Sequence, residues 1–378
     1  MKRYRAAVVG CSRMGAFIDN EAGESVVLPY SHAAGYEACP RTELIAGADL
    51  RQETLEAFGH RYGVPPERRY TDYRQMIERE RPDIVSITTQ PEQHAEVALF
   101  AAEHGVRALY CEKPLCASMA EAEAVVAAVE RHGVAYNMGT NRRWDPGFDA
   151  MRDVIASGEL GALKTIVIYS TGALFGTATH WFDLALRLNG DVPAAWVQGH
   201  LPRGDAVLDG EVVVEDPVGQ GIVAFDNGVM AHALLSPRRN ENEAICERGT
   251  VTTHDDGVSF QLQRLRGDGR DRRFETAPFP RFQRASSTLR LIEDLVHALD
   301  TGEPTRGGVR LAKANLEVIL AFIESHRRGG ARVSLPLSDC ALRLDRRDLQ
   351  PRQPTYVAAP PRSIPASATA RGRVPSAL

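Results

Sequence analysis

The sequence predicts an α/β fold in two parts: an N-terminal doubly wound parallel sheet, then an α+β domain with a large, mainly antiparallel open sheet. Three observations carry this. Short apolar strands alternate with helical patterns through the first third of the chain, the rhythm of a parallel sheet with helical crossovers. Near residue 140 that rhythm gives way to consecutive strands separated by turn signals. The first strand also runs into a glycine-bracketed turn, Gly10-Cys11-Ser12-Arg13-Met14-Gly15, at the place where such sheets receive anions.

The elements follow in order. AAVVG (6–10) is a buried-strand pattern and TELIAGADL (42–50) is another. RQETLEAFGHRYG (51–63) has Leu55, Phe58 and Tyr62 at helical spacing. DIVSITT (83–89) is a β-branched strand, QHAEVALFAAEHG (93–105) an Ala-rich helix closed by Gly105, and VRALYCEKP (106–114) a strand running into a proline. SMAEAEAVVAAVERHG (118–133) reads as a helix and VAYNMG (134–139) as the last strand of this part, residues 1–139. The second part, 140–345, opens with a helix over 146–161, a strand over 164–171 and a helix over 180–190. A run of strands follows, two of them joined at Asp226-Asn227-Gly228, a strong hairpin signal. Helices over 286–301 and 308–328 lead into VSLPL. From 346 to 378 the chain is rich in Pro, Ala, Ser and Arg with few large apolar residues, which predicts a disordered tail; an arm docking on a partner subunit is the alternative.

Composition narrows the function classes. The 378 residues are 43% apolar and 25% charged, enough for a sizeable core and for two or three domains. A net charge of −4 gives no general pull toward nucleic acid or anionic membranes. No run approaches the roughly 20 apolar residues of a membrane span. The six cysteines have no C-x-x-C pair and no histidine at zinc-finger spacing, so reduced thiols, no metal site and a cytoplasmic location are expected. Lysine occurs at only four positions, 2, 113, 164 and 313, so a lysine at a strand end stands out.

Gly10 and Gly15 can serve as the tight-turn and close-packing glycines of a dinucleotide loop, with Ser12 in the middle position. Asp49 ends the second strand, where a carboxylate can hold the ribose hydroxyls of NAD. Arg51 nearby would suit the 2′-phosphate of NADP, and a strand-end Asp that caps the following helix is the structural alternative. Asp49 lies beyond the usual distance from the glycines, so residues 17–40 must contain an insertion. Lys113, in Tyr110-Cys111-Glu112-Lys113-Pro114, sits at a strand's C-terminal end, where burial would lower its proton affinity. His180 heads a helix, which favours a neutral ring able to act as a base. No G-x-S-x-G, H-E-x-x-H or Walker motif supports a hydrolase or kinase.

Taken together, AAVVGCSRMG, ELIAGADLR, ITTQPEQHAEVALFAAEHGVRALYCEKPL, YNMGTNRRWDPGFDAMRDVIASGELG, THWFDLALRL and LIEDLVHALDTGEPT…VSLPL resemble the Gfo/Idh/MocA family of NAD(P)-dependent sugar and cyclitol oxidoreductases, over about residues 4–337. The resemblance implies a Rossmann domain that binds NAD or NADP, a sugar or cyclitol substrate, and a homodimer or homotetramer. It implies that Ser12, Arg13, Met14, Thr89, Gln90, Glu112 and Asn141 line the cofactor with the residues above. Lys113 and His180 become the catalytic pair, with Arg143, Trp144 and Thr179 on the substrate side; a salt bridge and a core aromatic are the alternative for Arg143 and Trp144. One departure stands out. The family's D-x-G-x-H pattern here reads Gly176-Thr177-Ala178-Thr179-His180, without the carboxylate. A nucleotide-binding sensor without turnover and a redox-neutral NAD-using lyase or glycosidase are therefore kept as alternatives.

Overall fold

The computed structural model describes residues 2–170, 172–238, 240–346 and 352–357. The first sheet comprises β1 (Tyr4–Val9), β2 (Thr42–Ala48), β3 (Arg69–Tyr70), β4 (Ile84–Ile87), β5 (Ala108–Cys111) and β6 (Ala135–Met138). These six strands pair in parallel in the order β3-β2-β1-β4-β5-β6. Strands β4 and β5 are buried along their whole length, as expected for a sheet covered on both faces. The covering helices are α1 (His32–Ala38), α2 (Gln52–Tyr62), α3 (Tyr73–Glu80), α4 (Pro91–Glu103) and α5 (Met119–His132). Their ends follow local chemistry. Ser118 Oγ accepts the Glu121 N–H at the start of α5, and Gly133 closes that helix in the left-handed region. Strand order reverses between β1 and β4, so their C-terminal ends open a crevice.

The second part holds α6 (Pro146–Ala156), β7 (Leu163–Ser170), α7 (Thr179–Leu188), β8 (Ala194–His200), α8 (Gly204–Val207), β9 (Leu208–Asp209), β10 (Val212–Val213), β11 (Gln220–Phe225) and β12 (Met230–Leu235). It continues with β13 (Glu241–Cys246), β14 (Gly249–His254), β15 (Ser259–Arg266), β16 (Arg273–Ala277), α9 (Ser287–Thr301), α10 (Val309–Arg327), β17 (Val333–Ser334) and β18 (Arg343–Leu344). Nine strands form one sheet, β16-β15-β14-β13-β7-β12-β11-β8-β17, antiparallel except where β12 pairs with β7. The Asp226-Asn227-Gly228 step does join two antiparallel strands, β11 and β12. In β13 every second residue is buried, so this strand turns one face to the core, while β14 beside it is buried at five consecutive residues, and α10 packs on β8 and β11. Among the described residues no helix is long and apolar enough to cross a membrane.

Two features cross the division drawn from sequence. Helix α9, assigned by sequence to the second part, buries Leu291, Ile292 and Leu295 in the core of the first, against Tyr4, Tyr36 and Phe58. Of the tail expected to be disordered from 346 onward, the structure describes Arg346 and 352–357, and these are docked on the first domain. Tyr356 stands edge-on to Phe17 with ring centroids 5.0 Å apart and bonds Thr54 Oγ1 at 3.0 Å. Asn20 donates to the Thr355 carbonyl at 2.7 Å. Residues 347–351 and 358–378 lie outside the described residues.

Candidate active site at the strand-order reversal

The glycine turn is shaped by close approach. Gly10 has φ +94°, and a Cβ there would lie 2.8 Å from the Thr88 carbonyl oxygen. A Cβ on Gly15 would lie 2.0 Å from the Gly10 oxygen, so no side chain fits. No long helix follows the turn directly. Arg13–Phe17 makes a single π-helical turn, in which the Ser12 carbonyl accepts the Ala16 and Phe17 N–H groups. The next α-helix starts only at His32, capped by Ser31. Residues 21–31 are thus a loop inserted before α1, which accounts for the distance from Gly15 to Asp49.

A cleft of about 820 Å³ opens over this turn at the C-terminal ends of β1, β2, β4 and β5. Of the sequence candidates, Gly10, Ser12, Arg13, Met14, Asp49, Arg51, Thr89, Gln90, Glu112 and Lys113 line it, and Gly15 is packed beneath the turn. Asp49 Oδ1 accepts the Arg51 N–H at 3.0 Å and its Nε at 3.3 Å, so the carboxylate orders the start of α2 as well as facing the cleft. Arg51 also reaches Gln353. Arg346 forks onto Glu92 at 2.8 and 2.9 Å and donates to Gln90 Oε1. Arg346 and Arg352 both line the cleft, two cations that the reading of the tail as disordered overlooked.

Lys113 and Glu112 end the strand differently from a surface pair. The Lys113 ammonium donates to the Gly176 carbonyl at 2.7 Å. Burial pushes its proton affinity down, Glu112 and Asp216 oppose that, and Arg142 and Arg346 reinforce it. The peptide bond from Lys113 to Pro114 is cis. Glu112 accepts from His32 Nε2 at 3.1 Å, and His32 Nδ1 meets Ser86 Oγ at 2.9 Å, which in turn meets Tyr36 at 2.7 Å. A neutral His32 satisfies this chain, consistent with burial lowering its proton affinity against the pull of Glu112. Burial alone would raise the Glu112 carboxyl; the hydrogen bond from His32, with the Lys113 charge, holds it below the usual carboxylate range. His94 lies between the Pro114 and Thr89 carbonyls at 2.8 and 3.1 Å, and its neutral ring donates to one of them.

His180 is the second residue of α7, half-buried, with Nδ1 shielded and without a hydrogen-bond partner. Burial, then the charges of Arg142 and Lys113, push its proton affinity well below the ordinary histidine value, so the ring is neutral. It stands beyond the lining of the cleft, as do Asn141, Arg143, Trp144 and Thr179. Asn141 is buried, and its Oδ1 has no partner among the described residues.

Three substrate-side expectations are corrected. Arg143 is 0% exposed and is held by Asp183 at 2.9 Å and Asp191 at 2.8 Å, so its charge is consumed inside the protein. Trp144 is also 0% exposed, a core aromatic of the first domain. Thr179 turns its hydroxyl back to the Phe175 carbonyl at 2.7 Å and is fully buried. Arg142 lies 4.0 Å over the Trp181 ring, is paired with Asp256, and its charge is felt by Lys113 and His180.

Sequence reasoning also passed over His32, His94 and Asp216. His94 lay inside the TTQPEQH motif; His32 and Asp216 had no local signal. A second cavity of about 790 Å³ lies at the N-terminal ends of β5 and β6, beside Arg107 and Ala135, the wrong end of an open parallel sheet for a ligand. No group of three or more His, Cys, Asp or Glu that could hold a metal occurs among the described residues.

Comparison with known proteins agrees with this geometry. Residues 4–140 match the family model described as oxidoreductase family, NAD-binding Rossmann fold. D-apiose dehydrogenase of Paraburkholderia graminis is 33% identical over 161 residues, covering 43% of this chain and 38% of that protein. Inositol 2-dehydrogenase of Salmonella typhimurium is 32% identical over 179 residues, covering 44% and 52% respectively. The match thus spans about half the length of these relatives or less. Among solved structures, aldose-aldose oxidoreductase from Caulobacter crescentus, complexed with glycerol, shares the fold at TM-score 0.70 and 21% identity, covering 88% of this chain and 100% of its own. An oxidoreductase from Agrobacterium radiobacter in complex with NAD+, L-tartaric acid and magnesium does so at TM-score 0.70 and 18% identity, covering 88% and 98%. Residues 4–140, which carry the glycine turn at the strand reversal, thus match the NAD-binding Rossmann domain of the Gfo/Idh/MocA oxidoreductase family.

Proposed function

We propose that the protein is an NAD-dependent oxidoreductase that interconverts a secondary alcohol and a ketone on a sugar, cyclitol or related polyol. The observation that carries the reading is a lysine of lowered proton affinity at the end of a cleft whose other end presents a glycine turn and a strand-end carboxylate. The donor set suits a dinucleotide. In this reading the turn's N–H groups and Arg13, which Glu21 holds at 2.9 Å, would meet the diphosphate, and Asp49 would meet the ribose. Arg51 is already neutralised by Asp49, which favours NAD over NADP. The nicotinamide, when bound, supplies the hydride acceptor or donor. Lys113 orients and polarises the reacting oxygen, and neutral His180 takes up or returns its proton. Arg142 and the Trp181 face it covers close the substrate side. A homodimer or homotetramer through the nine-stranded sheet belongs to the same proposal.

The test is turnover of a polyol and ketosugar panel with NAD+ and NADP+, using Lys113→Ala and His180→Ala. Loss of a positioned proton-transfer group costs on the order of 10²–10⁴ in kcat. Each variant is expected to lose at least ~10²-fold while binding NADH nearly as the parent does. Turnover of both variants within a few-fold of the parent removes the assignment. Tight NADH binding with no turnover of any polyol would favour the sensor.

A further inference from the structure

Gly176 lies between two charged groups. The turn Leu174–Ala178 is π-helical, and the N–H groups of Phe175 and Gly176 both donate to Asp216, at 2.9 Å to Oδ1 and 2.8 Å to Oδ2. On its other side the Gly176 carbonyl accepts the Lys113 ammonium at 2.7 Å. The segment carrying Asp216 is itself fixed against the turn. The Leu174 N–H bonds the Pro217 carbonyl at 2.8 Å, and Ala173 bridges to Val218. A Cβ on residue 176 would lie 3.1 Å from Asp216 Oδ2, closer than most such contacts. Glycine at 176 and the carboxylate at 216 therefore form one fitted unit.

We propose that Asp216 is a positioning residue: through the Phe175–Gly176 turn it holds the carbonyl on which Lys113 rests, and it keeps a negative charge facing that ammonium. The proposal rests on the reading of Lys113 as the group that handles the reacting oxygen. Asp216 acts through Lys113 and the turn. Two hydrogen bonds to one carboxylate leave the Gly176 carbonyl little freedom, and that carbonyl sets where the ammonium sits. The charges facing Lys113 are Glu112 on its own strand end, Asp216 behind the Phe175–Gly176 turn, and the cations Arg142 and Arg346. His180 in turn feels the Lys113 charge. Removing the Asp216 charge leaves the two cations opposed by Glu112 alone, so Lys113 must give up its proton at lower pH.

The small number of lysines makes this measurable. With only four in the chain, reductive methylation of the full-length protein with [13C]formaldehyde gives few dimethyl-lysine NMR signals, and Lys113→Arg identifies the one of interest. In Asp216→Asn that signal is expected to titrate about 1 pH unit lower than in the parent. The pH limb of kcat assigned to Lys113 should move the same way, with NADH affinity within about 2-fold, since Asp216 itself does not line the cleft. Asp216→Glu, which keeps the charge, should restore much of the titration. Gly176→Ala, which crowds the carboxylate, should shift it in the direction of Asp216→Asn. An unmoved Lys113 titration in both Asp216→Asn and Gly176→Ala overturns the proposal, whatever the activity. A shifted titration in a protein that oxidises no polyol upholds the positioning role and removes the redox reading instead.

Discussion

Replacing Arg143 with leucine is the sharpest test of the boundary between scaffold and site. Its guanidinium is 0% exposed, donates through Nε and Nη2 to Asp183, and reaches Asp191 and the Arg306 carbonyl through Nη1. Asp191 is about a third exposed on its side chain and can rehydrate when the partner goes; Asp183, at 3%, cannot. The loss is therefore dominated by one stranded buried carboxylate, which costs about 3–5 kcal/mol when a buried pair is broken from one side. For a cooperative unit of about 150–250 residues each kcal/mol moves Tm by about 2–4 °C, so a fall of roughly 6–20 °C is expected in thermal unfolding followed by circular dichroism. The double variant Arg143→Leu/Asp183→Leu, which removes both charges, should recover part of that fall. NADH binding measured well below the lowered Tm should stay near the parent's. A Tm within about 2 °C of the parent, combined with a tenfold or larger rise in substrate KM, would refute the reasoning and return Arg143 to the substrate.

Three further outcomes follow from the geometry. Gly15→Ala forces a methyl onto the Gly10 carbonyl; overpacking of this kind costs about 1–3 kcal/mol, so both Tm and NADH affinity should fall, and unchanged values would show that the turn yields freely. Truncation after Arg346 removes Arg352 from the cleft, Gln353 from Arg51 and the Tyr356–Phe17 pair, worth about 0.5–1.5 kcal/mol, so nucleotide affinity and Tm should both drop by calorimetry. A truncated protein matching the parent in both would make the docking incidental. The pH dependence has a definite sign: burial depresses the proton affinities of His32, His94 and His180, so the unfolded chain binds more protons than the native one below its histidine value of about 6.5. Stability contributed by the neutral rings is present above that value and lost as pH falls, by up to about 1.4 kcal/mol per pH unit for each ring. Urea unfolding at pH 7.5 and 6.0 checks this; equal or greater stability at pH 6.0 would contradict it.

Local rules made much of the fold legible. The strand–helix rhythm, the Ser118 and Gly133 ends of α5 and the Asp226-Asn227-Gly228 hairpin are short-range signals, and each appears where the sequence placed it. What escaped was carried by distant partners. Nothing near Leu291 or Leu295 says that α9 packs on the first sheet, because an amphipathic face does not name its neighbour. Composition alone made 352–357 look unfoldable, yet Tyr356 and Thr355 find partners on a surface formed about 300 residues earlier. The site divides in the same way. The Gly10 and Gly15 turn and Lys113 announce themselves by position, whereas Arg143 and Trp144, beside them in sequence, turn into the core. The lack of a carboxylate at 176 was plain to read; that Asp216 faces the same turn from 40 residues away was not.

The central claim is that the cleft at the β1–β4 reversal is a working nicotinamide nucleotide site. Fluorescence titration of nucleotide-stripped protein with NADH and, separately, NADPH tests it most directly. Saturable binding of NADH is expected, with weaker binding of NADPH because Asp49 already holds Arg51, and loss of NADH binding in Gly15→Ala. Failure of the parent protein to bind either nucleotide would contradict it.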